Sequence, residues 1–133
     1  MNTGRWIAAG LLVGLVLNIG EAVLHGVLLA DQTAAAMTAL GHDSAGTPLG
    51  LGLLVAVTFA QGLVGMWLFA NTKLSALAIG AALWVLSGVY SATYFYAGFP
   101  GLIPDGVLWW PAAWEIIQYP LAMLAGAAVY RRD

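Results

Sequence analysis

Four long apolar runs, joined by short polar segments, make up most of the chain. They cover about residues 6–30, 48–70, 74–97 and 107–130. An α-helix needs ~20 apolar residues to cross the ~30 Å hydrocarbon core of a bilayer, and each run is at least that long. The pattern predicts an all-α integral membrane protein, in which residues 1–133 form one domain, a bundle of four transmembrane helices.

Local signals predict where these helices begin and how they connect. Thr47 is a typical N-cap with Pro48 at the first helical position, and Asp105 is a candidate cap for the fourth helix. Only residues 71–73 separate the second and third runs, so these two helices must form an antiparallel hairpin. The longest connection, residues 31–46, contains the alanine-rich segment DQTAAAMTAL, which predicts a short helix at the membrane interface.

The basic residues predict the orientation in the membrane. With four spans, they all fall on one side: Arg5, Lys73, Arg131 and Arg132. Because cytoplasmic loops carry an excess of Lys and Arg, both termini are expected in the cytoplasm. The first run lacks a convincing signal-peptidase site and is expected to remain as a helix. The general pattern resembles small bacterial four-helix membrane proteins, so we expect a multi-pass protein of the inner (plasma) membrane.

Composition excludes several classes of function. With 62% hydrophobic and 8% charged residues, the chain has roughly a third of the charge of a soluble domain and cannot cover a water-facing surface. The absence of cysteine excludes disulfides, thiolate metal sites and thiol nucleophiles. A net charge of −2 offers no basic surface for nucleic acid. No nucleophile has a matching base in the pattern, so we do not expect an enzyme.

The polar residues inside the apolar runs share faces with small residues. At about 100° per residue, the first run has a stripe roughly 80° wide that contains Gly10, Gly14, Asn18, Glu21 and His25. The fourth run has a similar stripe of Glu115, Gln118, Ala122 and Gly126. Because small residues let helices approach closely, these stripes are expected to face other helices and not lipid.

The depth of these residues predicts a candidate site. At about 1.5 Å per residue, Glu21 and Glu115 lie at similar heights in the outer half of the membrane. If the stripes converge, a polar layer forms there from Glu21, His25, Tyr90 and Glu115, with Asn18, Gln61 and Gln118 beneath it. Pro120 removes a backbone hydrogen bond to the Ile116 carbonyl, which leaves an acceptor near Glu115.

Three interpretations of this layer stay open. In the first, Glu21 and His25 form a buried polar clasp with a neutral Glu115, which fixes the register of the bundle. In the second, the two carboxyl groups bind or relay a solute or a proton, with His25 as the entrance, since ionisable residues inside a membrane are commonly functional. In the third, Glu21, His25 and Glu115 are metal ligands.

The favoured function is a non-enzymatic structural or accessory subunit of a larger membrane complex, or a homo-oligomer. Its partners would be membrane lipid and other membrane subunits or copies of itself. The alternative is a protein that binds or transports a small molecule, an ion or a proton through the polar layer. No cofactor is predicted; Trp109 and Trp110 are typical of an interfacial anchor, with contact to a lipid, quinone or pigment as the alternative. The sequence leaves open whether the polar stripes face one another or a second protein.

Overall fold

The computed structural model describes residues 2–42 and 47–130, and the regular structure in these ranges is helical. The helices are α1 (Thr3–Leu28), α2 (Ala30–Ala39), α3 (Pro48–Asn71), α4 (Ala76–Gly98) and α5 (Asp105–Val129). Four of them, α1, α3, α4 and α5, are long and apolar enough to cross a membrane. The short helix α2 lies in the connection between the first two long helices.

The observed helix ends agree with one predicted cap and correct another. Thr47 caps α3 as predicted, because its hydroxyl accepts a hydrogen bond of 3.1 Å from the backbone N–H of Gly50. The prediction that Asp105 caps α5 is wrong, since Pro104 occupies the cap position and Asp105 is the first helical residue. The Pro104 carbonyl already accepts bonds from the following turn, so the helix begins one residue earlier. In the first turn, Asp105 still favours the helix dipole.

Glycines bring α1 and α3 into backbone contact. A Cβ atom added at Gly10 would lie 2.8 Å from Leu63 Cα, and one at Gly14 would lie 2.7 Å from Phe59 Cα. On the opposite helix, a Cβ at Gly62 would overlap the Gly10 carbonyl oxygen. The prediction that the small-residue face of the first helix packs against another helix is therefore confirmed at Gly10 and Gly14.

Helix α5 packs between α1 and α4 and also contacts α3. Its contact with α4 is close, because a Cβ at Gly80 would lie 2.6 Å from Pro120 Cα. The indole N–H of Trp84 adds a hydrogen bond of 2.7 Å to the Ala112 carbonyl of α5. The side chains buried most completely where the helices meet are Val13, Leu17, Met66, Ile79 and Met123. The long helices thus enclose one shared core.

Helices α1 and α4 each contain one turn of π-helix, at Leu24–Leu28 and Val85–Val89. In a π-turn the hydrogen bond spans five residues instead of four, as in the 2.7 Å bond from the Leu29 N–H to the Leu24 carbonyl. The extra residue changes the direction in which the later side chains of the same helix point. Such turns occur frequently at functional sites, and the turn in α4 lies directly opposite Glu115 of α5.

Candidate functional site

A ring of hydrogen bonds joins α3, α4 and α5 inside the protein. The Tyr119 hydroxyl lies 2.9 Å from both Gln61 Oε1 and Ser87 Oγ. Gln61 Nε2 donates to the same serine oxygen at 3.2 Å. Because each of the three groups can supply one donor and one acceptor, the bonds close into a mutually satisfied ring. This ring fixes the relative register of three helices.

A second polar contact ties α5 to α1. Gln118 is 6% exposed, and its Nε2 donates a 2.8 Å hydrogen bond to the Leu17 carbonyl. Its side chain packs directly on Gly20, where a Cβ would lie 2.5 Å from the amide carbon. Asn18, by contrast, bonds within its own helix, donating at 2.8 Å to the Gly14 carbonyl. Gln118 therefore links two helices, whereas Asn18 does not.

Glu115 is the acidic side chain at the centre of this region. It is 9% exposed, and its Oε2 atom is one of three buried side-chain atoms without a hydrogen-bond partner among the described residues, together with Trp114 Nε1 and Gln118 Oε1. That oxygen lies against Gly88 in the π-turn of α4, where any added Cβ would overlap it. Glu21 is close enough to interact with Glu115 electrostatically. The described neighbours of Glu115 thus leave one oxygen of a buried carboxyl group without a hydrogen bond.

A cleft of about 190 Å³ between α4 and α5 begins at this carboxylate. Its polar lining comes from Ser87, Ser91 and Glu115, and the remaining walls are mainly apolar, Phe95 among them. Pro111 also lines the cleft and has no N–H group to offer the backbone carbonyl four residues earlier. The cleft therefore combines a carboxyl group and two serine hydroxyls at one end with a largely apolar body.

Glu21 and His25 form a separate pair at the edge of α1. His25 Nε2 lies 3.5 Å from Glu21 Oε2, and the two side chains are 36% and 30% exposed. The other ring nitrogen of His25, Nδ1, lies 3.3 Å from Thr33 Oγ1 on α2. The pair therefore links α1 to α2 and is more accessible than Glu115. Among the described residues, no group of three or more potential ligands is placed to hold a metal ion.

Tyr90 lies outside the polar region. Its side chain is 64% exposed and stacks on Tyr94, with ring centroids 6.2 Å apart. The π-turn at Val85–Val89 immediately precedes it and rotates its face away from the α5 contact. Of the residues predicted for the site, the structure buries Glu115 and Gln118 among hydrogen-bonding neighbours and leaves Tyr90 on the surface.

Tyr119 and Gly88 belong to the site but were not among the residues predicted for it. Tyr119 follows Glu115 by four residues, so helical spacing alone places both on one face of α5. That signal was present. Gly88 could not be recognised in the same way, because its role depends on the π-turn and on which helix packs opposite.

Comparisons of the chain with known proteins give no relative from which a function could be transferred. No protein-family model matches it, and neither a curated protein nor a solved structure matches it significantly. The function is therefore argued from the geometry of the site.

Proposed function

We propose that the protein binds a small solute within the membrane, in the cleft between α4 and α5, with Glu115 as the binding group. The observation that carries this proposal is the unpartnered Oε2 atom of a carboxyl group that is only 9% exposed. A buried acceptor without a partner costs roughly 1–3 kcal/mol, and more when it is charged. Of the three residues with such an atom, Glu115 alone lines the cleft, so its carboxyl group suits a solute with a hydrogen-bond donor.

The surroundings of Glu115 support a built site. The ring of Tyr119, Gln61 and Ser87 satisfies its own polar groups, and the Trp84 indole bonds to α5. These bonds fix α4 against α5 on the side where the cleft opens. A binding group held by a rigid framework loses little conformational freedom when a solute arrives.

We further propose that the four long helices form a transmembrane bundle with both termini in the cytoplasm of a bacterial cell. Arg5 lies in the first turn of α1 and Lys73 in the connection between α3 and α4, and the excess of basic residues in cytoplasmic loops supports this orientation. From Lys73, α4 runs outward past Ser87 to the 99–104 connection. In this topology the cleft, which reaches Ile103, opens toward the outer side of the inner membrane.

Single-cysteine labelling tests whether the cleft admits a solute. The chain has no cysteine, so Ser91→Cys introduces the sole thiol, inside the cleft. Thr93→Cys is the matched control, because two residues along α4 turn the side chain roughly 200° away. Maleimides react with the thiolate, which needs water, so in proteoliposomes S91C is expected to react with N-ethylmaleimide at least about tenfold faster than T93C.

Mass spectrometry of the intact protein measures the two labelling rates. Equal and slow labelling of S91C and T93C would show that the cleft is closed to small solutes, and the proposed function would then be wrong. The comparison requires that both variants are folded. Each variant is therefore expected to co-elute with the unsubstituted protein in size-exclusion chromatography in detergent.

A second candidate function is that of an accessory subunit or a homo-oligomer. It is favoured by the first part of α3, where residues 51–57 are exposed on every side, with Leu54 66% exposed and the preceding Leu49 74% exposed. A contiguous apolar surface of this kind is typical of a helix that contacts lipid or another subunit. It does not conflict with a binding cleft between α4 and α5, which lies elsewhere.

Native mass spectrometry after gentle extraction from the membrane tests this second function. We expect a species heavier than the 13.9 kDa of one chain, because a partner along α3 would survive mild detergent. A homogeneous single chain in several mild detergents would contradict the accessory or oligomeric role and leave lipid as the neighbour of α3.

A further inference from the structure

We infer that the solute recognised by the cleft is a small primary ammonium ion with a short aliphatic body. This inference rests on the proposed function and identifies the chemical class of its ligand. Three properties of the cleft lead to it: a carboxyl group with no basic residue among the described lining residues, further hydrogen-bond acceptors at the same end, and apolar walls of limited volume.

The charge of the ligand follows from what the helices lack. Among the described residues, the lysine and arginine side chains are Arg5, in the first turn of α1, and Lys73, in the connection between α3 and α4. Neither of them lines the cleft. His25 is paired with Glu21 at the edge of α1 and does not line the cleft either. A cation that enters the cleft would supply the missing partner of Glu115.

The need for N–H donors follows from the polar end of the cleft. The Glu115 carboxyl group and the Ser91 hydroxyl belong to lining residues, and both can accept a hydrogen bond. Val107 also lines the cleft, and its carbonyl receives no hydrogen bond from Pro111, which lacks an N–H group. A primary ammonium group has three donors and no acceptor, which matches this set. A quaternary ammonium ion carries the same charge but has no donor.

The size of the ligand follows from the volume of the cleft. At about 30 Å³ per heavy atom, the share of one water molecule in the liquid, 190 Å³ holds about six heavy atoms. The far walls are the apolar side chains of Phe95, Ile103 and Leu108, which suit a branched hydrocarbon chain. An inorganic cation would leave these walls without a contact, and the described residues offer no cluster of metal ligands.

A protection experiment tests this inference with isopentylammonium chloride as the probe, which has a primary ammonium group on a five-carbon branched chain. The reporter is Ile103→Cys at the mouth of the cleft, with labelling by N-ethylmaleimide in proteoliposomes. Leu102→Cys, one residue earlier and outside the lining, is the matched control and corrects for any loss of reagent to the amine. Isopentylammonium is expected to slow labelling of I103C and not of L102C.

Two further solutes separate charge, hydrogen bonding and shape. Isopentanol has the same body without the charge, and tetramethylammonium has the charge without N–H donors. Charge-assisted hydrogen bonds are roughly twice as strong as neutral ones, and neither solute can form one with an N–H donor. The concentration that halves the labelling rate of I103C should therefore be at least about tenfold higher for either solute than for isopentylammonium. Equal protection by isopentanol, or equal protection by tetramethylammonium, would overturn the inference.

Substitutions at the polar end complete the test. In the I103C background, Glu115→Gln is expected to weaken protection by isopentylammonium about tenfold or more, since it removes the charge and keeps the shape. Ser91→Ala, at an exposed position where folding is not at risk, should weaken it several-fold. Unchanged protection in both variants would overturn the inference. If S91C reacts rapidly but isopentylammonium gives no protection of I103C, the ligand class is wrong and the proposed function stands; if S91C is unreactive, both fail.

Discussion

Replacing Gly62 with alanine is expected to lower the free energy of unfolding by about 2–3 kcal/mol. The new Cβ would overlap the Gly10 carbonyl oxygen and lie 2.7 Å from the Gly14 N atom. Both atoms belong to the backbone of α1, so no side chain can rotate to make room. The two helices must separate along their contact, which loses packing on both sides. Unfolding by denaturant in mixed micelles, followed by tryptophan fluorescence, measures the change.

Gly52→Ala is the matched control for this prediction. Gly52 lies ten residues earlier on the same helix, and a Cβ there meets no atom within 4 Å. Its substitution should leave the free energy of unfolding unchanged or raise it by up to about 1 kcal/mol, because alanine is the better helix former. Similar losses at both positions would mean that alanine disturbs α3 itself, and the close contact with α1 at Gly62 would then not explain the effect.

Helical periodicity predicts the α1 side of this contact but not the α3 side. The stripe of Gly10 and Gly14 follows from spacing alone, and the structure buries both against α3. On α3, the sequence aligns Gln61 with Gly65, and these two residues face α4 and α5 instead. Gly62 lies on a second face toward α1. Periodicity identifies the helix faces that carry small residues. It cannot decide which neighbouring helix each of these faces contacts.

The π-turns explain where uniform helical spacing fails. A step of about 100° per residue aligns Tyr90 with Ser87 and Ser91 on one face of α4. A π-turn contains about one residue more than an ordinary helical turn. It therefore rotates the side chains that follow it by up to about 100° around the helix axis. Tyr90 follows the turn at Val85–Val89 directly and is exposed as a result. Since no residue pattern in this chain marks a π-turn, this part of the site required the structure.

The division between scaffold and site was also beyond sequence reasoning. Gln61, Gln118 and Glu115 look alike as polar residues in apolar helices, and spacing places all three near the interior. The structure separates them, because Gln61 and Gln118 each donate a hydrogen bond to another helix, whereas Glu115 lines the cleft with one oxygen unpartnered. Gln118 Oε1 has no partner either, but Gln118 does not line the cleft. The first two residues support the structural interpretation of the polar layer. Glu115 supports the binding interpretation. The structural and the binding interpretations therefore apply to different residues of the same polar layer.

Replacing Gly88 with alanine is expected to weaken protection by isopentylammonium about tenfold while costing little stability. The new Cβ would overlap Glu115 Oε2 and lie 3.1 Å from its carboxyl carbon. Unlike the backbone atoms opposite Gly62, this carboxyl group is the end of a flexible side chain and can rotate aside. It would then point away from the Ser91 hydroxyl, and the ammonium group could no longer bond to both.

The matched control for this prediction is Gly98→Ala, near the end of the same helix, where a Cβ meets no atom within 4 Å. The isopentylammonium concentration that halves the labelling rate of I103C, measured in each variant, gives the change in affinity. Unfolding by denaturant gives the change in stability. Unaltered affinity in G88A would mean that the π-turn does not position the carboxylate. A large loss of stability in G88A would mean that Glu115 cannot move aside, and that the carboxyl group is held as firmly as the hydrogen-bonded ring beside it.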